Sequence, residues 1–169
     1  FFTHWKKQKH VCTLMGQDVK ASNKFLKILK IKQPQIVPIN KWQSIEIKKL
    51  GFKNVLQSIP WGIETTKPGK LFFEREVDVV FVGSFISLKR PILFLEAIKM
   101  LSTKNPNLKV KMVGYGKMEA EINDYIGNNL VSCDIELLGK TTREEVFELM
   151  ENTKVLMHTS NFEGGPMVF

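Results

Sequence analysis

Between Val79 and Phe85 the chain reads Val-Val-Phe-Val-Gly-Ser-Phe. Four β-branched or aromatic residues in succession, with no polar residue alternating among them, describe a strand covered on both faces. Such a strand belongs in a parallel sheet between helical layers, not in an antiparallel sheet with one face in water. The next segment agrees. Pro91 stands where a first helical turn begins, and the stretch to Asn105 supplies Ala, Leu and Met for a buried helix.

The same rhythm repeats downstream. Leu108–Gly116 is a second strand that becomes glycine-rich. Residues 117–130 place Met118, Ile122, Tyr125 and Ile126 at three- and four-residue steps, as an amphipathic helix requires. Asp134–Gly139 is a short third strand. Thr142, three residues before Glu145, forms a capping-box pattern for a helix carrying Val146, Leu149 and Met150 on one face. Lys154–Ser160 is the fourth strand. Strands and helices alternating through short connections demand parallel pairing and right-handed crossovers. The expected fold is α/β, a doubly wound, Rossmann-like parallel sheet with helices on both faces, together with part of a second α/β domain. That second part is residues 1–63, where short strands are expected in 10–16, 35–40 and 54–60, with a helix over 41–52 ending at Gly51. Residues 64–78 carry Pro, Gly and charge and read as a linker, leaving 79–169 as the larger domain.

Charge divides along the same boundary. Residues 1–63 hold 12 lysines against Asp18 and Glu46, a net of +10, whereas 64–169 hold 13 basic and 15 acidic residues, a net of −2. Lysines without interleaved arginine argue against nucleic acid as the partner and fit an anionic membrane surface, at about 1 kcal/mol per Lys near the lipid. Cys12 and Cys133 lie far apart without metal-type spacing, so neither a disulfide framework nor a zinc site is expected, and a reducing cytoplasm is the default location. No run approaches 18 apolar residues, and the first residues lack signal-peptide order. None of Asp18, Asp78, Asp124 and Asp134 is spaced two apart, so no Asp-x-Asp metal signature is present, and a Gly-x-x-x-x-Gly-Lys phosphate loop is also missing.

In open parallel sheets, ligands bind beyond the carboxyl ends of the strands. Four segments fall there: Gly83–Pro91, Gly114–Lys117, Gly139–Thr142 and His158–Pro166. Glycine admits close backbone approach, and the helix that follows aims free N–H groups at an anion. Lys89 offers a point charge to a phosphate, and Glu163 stands directly before Gly164 and Gly165. Together these favour a phosphorylated ligand.

The ordered set Phe81–Pro91, Lys109–Gly116, Asp134–Thr153 and Lys154–Pro166 resembles the donor-binding domain of GT-B retaining glycosyltransferases, the large family of sucrose and mannosyl transferases. The upstream residues resemble the end of that family's acceptor-side domain, with the hinge near Trp61, Gly62 and Ile63. The resemblance implies transfer of a sugar, with retention, from a nucleotide-diphosphate donor to a glycan or lipid-linked hydroxyl acceptor in envelope polysaccharide or glycolipid synthesis. It also implies a protein peripheral at the inner membrane face, with no metal or other cofactor.

Residue by residue, the resemblance implies donor contacts from Gly83, Ser84, Lys89, Arg90, Gly114, Gly116, His158, Glu163, Gly164 and Gly165, with Lys89 and Glu163 closest to the chemistry. Glu163 matches the first acid of a Glu-x7-Glu motif whose second acid would fall at position 171, so the chain is expected to be a fragment. Two positions depart from the pattern. Ser84 stands where many relatives carry an arginine that binds the diphosphate, and losing one such donor costs about 3 kcal/mol unless replaced. Met15 stands where many carry a histidine beside the sugar, and a thioether can neither donate a hydrogen bond nor transfer a proton. A nucleotide-sugar epimerase of the same fold and a non-catalytic nucleotide-sugar-binding module therefore stay open as alternatives.

Overall fold

The computed structural model describes residues 11–14, 16–60, 62, 70–130 and 133–163. Met15, Trp61, Ile63, Gly164, Gly165 and linker residues 64–69 lie outside them. The chain divides into two compact units. Among the described residues, one takes residues up to Gly62 together with Phe162 and Glu163, and the other runs from Lys70 to Asn161.

In the first unit, β1 (Val11–Cys12) pairs in parallel with β2 (Gln35–Ile36), and Ile36 makes a further parallel bridge to Val55. Between them lies α1 (Phe25–Lys32), and after β2 comes α2 (Lys41–Lys49). The α2 boundaries have local causes. The Asn40 side chain accepts a hydrogen bond from the Gln43 amide at 2.7 Å, and the Gly51 and Phe52 amides return to the Lys48 and Ile47 carbonyls at the other end. Leu14, Val19, Leu26, Ile36, Ile47 and Phe52 form the core. One polar side chain is fully buried among them: Gln43 accepts from the Ile39 amide at 2.8 Å and donates to the Leu14 carbonyl, which satisfies its amide at both ends.

The second unit is a four-stranded parallel sheet. Its strands are β3 (Val77–Val82), β4 (Lys109–Val113), β5 (Asp134–Gly139) and β6 (Thr153–Leu156), in the spatial order β5-β4-β3-β6. Helices α3 (Pro91–Ser102), α4 (Glu119–Asn129) and α5 (Arg143–Glu151) make the crossovers. Every strand and helix expected from the repeating pattern after Val79 is present. Val79 and Phe81 project to the side where α3 and α4 bury Phe94, Leu95, Ile98 and Ile122. Phe81 lies 5.3 Å from Phe94 and 6.1 Å from Phe85 between ring centroids, so the aromatic run that marked the strand becomes the centre of the core. Val80 and Val82 face the other way and are also buried, which is why no polar residue alternates with the apolar ones. Because the step from β5 to β6 runs back across the sheet, its right-handed crossover places α5 on that second side.

The α5 capping box forms as the spacing predicts. Thr142 Oγ1 accepts from the Glu145 amide at 3.2 Å, and a Glu145 carboxylate oxygen accepts from the Thr142 amide at 2.7 Å. That amide bond and the Thr142 hydroxyl hold the Glu145 carboxyl below its ordinary pKa. At the start of the sheet, Asp78 joins three strands. One carboxylate oxygen accepts from the Lys109 amide of β4 at 2.9 Å, and the other meets Lys154 Nζ of β6 at 2.7 Å.

Candidate functional site

Strand order sets the place. β4 and β5 lie to one side of β3 and β6 to the other, so the chain changes direction between β3 and β6. At such a switch point the loops leaving neighbouring strands diverge and open a crevice beyond their carboxyl ends. The loops here are 83–91 after β3 and 157–161 after β6.

Past their last sheet residues, β3 and β4 each continue for one step in glycine. The Gly83 amide donates to the Val113 carbonyl and the Gly114 amide to the Gly139 carbonyl, both at 2.9 Å. Beyond that rung the β3 and β4 loops close on one another: the Phe85 amide donates to the Tyr115 carbonyl at 2.9 Å, and the Phe85 carbonyl accepts from Met118 at 3.0 Å. Phe85 is buried in the core beneath them. This packing accounts for two of the predicted glycines. Gly114 has φ 149° and a Cβ there would lie 1.9 Å from the Gly83 oxygen; Gly116 has φ 158° and a Cβ would lie 2.5 Å from the Phe85 oxygen. Both positions admit a neighbouring loop's backbone, a structural demand that stands whether or not a ligand binds above them.

Gly83 and Lys89 are brought together. Around the tight turn Ile86–Lys89, closed by the Lys89 amide on the Ile86 carbonyl at 2.9 Å, the lysine stem returns over the strand end, with its Cδ 3.8 Å from where a Gly83 Cβ would stand. Arg90 follows in the left-handed region, φ 52° and ψ 54°, directly before Pro91 opens α3. A non-glycine residue held there costs on the order of 1–3 kcal/mol, so the surrounding structure must hold it. Thr159 does so. Its hydroxyl lies 2.9 Å from the Lys89 carbonyl and 3.0 Å from the Arg90 carbonyl, and the Asn161 amide donates to the Leu88 carbonyl at 2.8 Å. Three successive carbonyls of the β3 loop are thus held by the β6 loop. Thr159 and Asn161 were not among the residues singled out from the sequence. There they lie unremarked within the segment His158–Pro166.

The other predicted residues distribute as follows. Ser84 is exposed on the β3 loop, and His158 is half-buried on the β6 loop between Met157, whose amide still bonds to the Val80 carbonyl at 3.0 Å, and Thr159. Ser160 Oγ, on the same loop, is buried with no hydrogen-bond partner among the described residues, and so is Thr141 Oγ1 on the loop after β5. Glu163 is half-buried and belongs to the first unit, introduced by Phe162. That ring packs edge-on against Trp42 at 5.3 Å, with Lys20 Nζ 5.0 Å from its centroid. Gly164 and Gly165 lie outside the described residues. Among the described residues no group of three or more His, Cys, Asp or Glu side chains is arranged to hold a metal ion. A hollow of about 240 Å³ opens at the opposite end of the sheet, lined by Glu76, Lys109, Lys111, Asp134, Glu136 and Asn152. The starts of α3, α4 and α5 all point to the other rim, so this hollow lacks the helix N-termini that favour an anion.

With this geometry, comparison with known proteins is specific. The sequence model described as glycosyl transferases group 1 matches residues 62–169. A Campylobacter jejuni alpha-1,4-N-acetyl-D-galactosaminyltransferase, named for a diNAcBac-PP-undecaprenol acceptor, is 33% identical over 57% of the chain and 26% of its own length. The capsular polysaccharide biosynthesis glycosyltransferase CapH of Staphylococcus aureus is 25% identical over 97% of the chain and 47% of its own length. Among solved structures, a mutant of S. aureus TarM in complex with fondaparinux, alpha-GlcNAc-glycerol and UDP superposes with a TM-score of 0.80 at 16% identity, over 96% of the chain and 34% of TarM. The chain thus spans about a quarter to a half of the length of these relatives, and the TarM likeness supports the fold alone.

Proposed function

The chain belongs to the glycosyl transferases group 1 family, and from that premise we propose that the whole protein moves a sugar from a nucleotide-diphosphate donor to a hydroxyl acceptor, with retention at the anomeric carbon. The observation that carries this reading is the Lys89 stem folded over Gly83 at the switch point, with the loop's carbonyls tied back by Thr159 and Asn161. A lysine delivered to a strand end beside helix N-termini is suited to the charge that builds on a departing diphosphate. Arg90 adjoins it, and the amides after Gly83 and Gly116 lie on the same rim. Glu163, with Gly164 and Gly165, is assigned to orienting the sugar hydroxyls. The acceptor attacks from the face the diphosphate leaves, and a leaving-group oxygen takes its proton, so no separate protein base is needed. Relatives named for capsular polysaccharide and for an undecaprenyl-linked acceptor support envelope glycan synthesis as the setting.

Calorimetry of the full-length protein against uridine and guanosine diphosphates tests the donor half, and sugar release from matching donors tests transfer. Lys89→Ala is expected to lower kcat by about 100-fold or more; unchanged turnover removes the role given to Lys89. Ser84 favours a second reading. Its exposed hydroxyl carries no charge where many relatives place arginine, as suits a module that binds nucleotide sugars without turning them over. Tight nucleotide binding with no turnover across a donor panel would select that reading.

A further inference from the structure

We propose that Thr159 is a positioning residue for the transfer step: it fixes Arg90 in a backbone conformation the chain does not otherwise favour, and through Arg90 it fixes Lys89. The inference rests on the sugar-transfer reading above and adds to it a residue that acts at one remove from the donor.

Three local preferences oppose the backbone seen at Arg90. Its φ of 52° and ψ of 54° lie where an L side chain crowds its own backbone, a place usually left to glycine or asparagine. Pro91 follows, and a proline ring pushes the residue before it toward extended backbone. Arg90 is also the N-cap of α3. That position is ordinarily extended, with a side-chain oxygen accepting from the first turn, and here no side-chain cap bond is made. All three preferences would carry Arg90 to negative φ.

Bonds within the loop offer little against them: the Arg90 amide reaches the Ser87 carbonyl at 3.3 Å. The β6 loop supplies the restraint. Thr159 Oγ1 lies 2.9 Å from the Lys89 carbonyl oxygen and 3.0 Å from that of Arg90. These two carbonyls flank the φ and ψ rotations of Arg90, so a hydroxyl proton shared between them fixes both angles at once. The Asn161 amide adds the Leu88 carbonyl at 2.8 Å.

The place of Lys89 follows from this clasp. Downstream, α3 is anchored by Phe94 and Leu95, both fully buried, so a rotation at Arg90 is not taken up there. It moves the upstream turn instead, and with it the lysine stem whose Cδ lies 3.8 Å from where a Gly83 Cβ would stand. A displaced ammonium loses most where the diphosphate charge is greatest, in the transition state, so turnover suffers more than donor binding.

The test is a double-mutant cycle in the full-length protein, read by sugar release from a panel of uridine- and guanosine-diphosphate sugars. Thr159→Val removes the hydroxyl and keeps the shape. It is expected to lower kcat about tenfold while donor KM stays within about threefold. Thr159→Ser keeps the hydroxyl and is expected to hold kcat within about threefold of wild type. In a Lys89→Ala background, Thr159→Val is expected to cost less than about twofold, because the residue it positions is already gone. A loss of about tenfold in that background overturns the proposal, since the effect then bypasses Lys89. Backbone and Cβ chemical shifts of Arg90 give a readout independent of turnover: left-handed in wild type and Thr159→Ser, extended in Thr159→Val. An Arg90 that stays left-handed without the hydroxyl also overturns the proposal. Thr159→Ala, which adds no atom to the loop, carries the same expectations and replaces the valine variant where that one misfolds. A wild type that releases no sugar from any donor removes the transfer reading and the positioning role together. A wild type that turns over, matched by Thr159→Val, removes the positioning role alone.

Discussion

A methyl group at Gly114 would sit 1.9 Å from the Gly83 carbonyl oxygen, and the φ of 149° already disfavours an L side chain. Both objections come from backbone, which cannot swing aside as a side chain can. Gly114→Ala is therefore expected to destabilise the second unit by about 3 kcal/mol or more, measured by denaturant unfolding; Gly83→Ala, whose Cβ would meet nothing nearer than 3.7 Å, serves as the mild control. The glycines were legible in the sequence, and their partners were not. Spacing places a glycine after each strand but cannot say that the Gly114 loop presses on the Gly83 loop, because that contact joins residues 31 positions apart. Lys89 divides the same way. Its position behind a strand could be read directly, whereas the return of its stem over Gly83 depends on the turn at Ile86–Lys89. Thr159 was beyond reach, since its worth lies in two carbonyls about 70 residues upstream.

Elements were more transparent than contacts. β3 announced itself because both its faces are buried, and α5 because its first turn carries the Thr142–Glu145 box. Helix α1 escaped the sequence reading: lysines at 27, 30 and 32 interrupt its apolar face, and its start at Lys24 has no side-chain cap. The ends of the sheet elements offer a pH test. Burial alone would raise the Asp78 carboxyl, but the Lys109 amide and the Lys154 ammonium outweigh it and hold the pKa below the ordinary carboxylate value. A depressed carboxylate contributes stability above its unfolded-state pKa and loses it as pH falls through the folded one. Asp78→Asn should thus cost about 1 kcal/mol at pH 7, and its deficit relative to wild type should close as pH falls below about 4. Equal deficits at pH 7 and pH 3, in urea titrations, would mean that the charge on Asp78 ties no strands.

At the scale of the whole molecule, the sequence reading ended the first part near residue 63, yet Phe162 lies in that unit's packing with Trp42 and Lys20. Removing the ring is expected to cost the first unit about 1–2 kcal/mol. Hydrogen exchange on Phe162→Ala should show faster amides in α2 and unchanged protection in β3 and β4; the reverse pattern would assign Phe162 to the other unit. Charge asymmetry was visible from composition, but the exposure of Ile28 and Ile31 among the lysines of α1 needed the structure, because burial decides which of Leu26, Ile28, Leu29 and Ile31 face inward. The Thr159 and Asn161 bonds have a practical corollary for anyone exchanging loops between relatives. The loop after β3 is not a self-contained cassette: transplanted alone, it arrives with three carbonyls whose clasp was left behind. The graftable unit is discontinuous, residues 83–91 with 157–161, and chimeras that move both should keep their fold where single-loop swaps lose it.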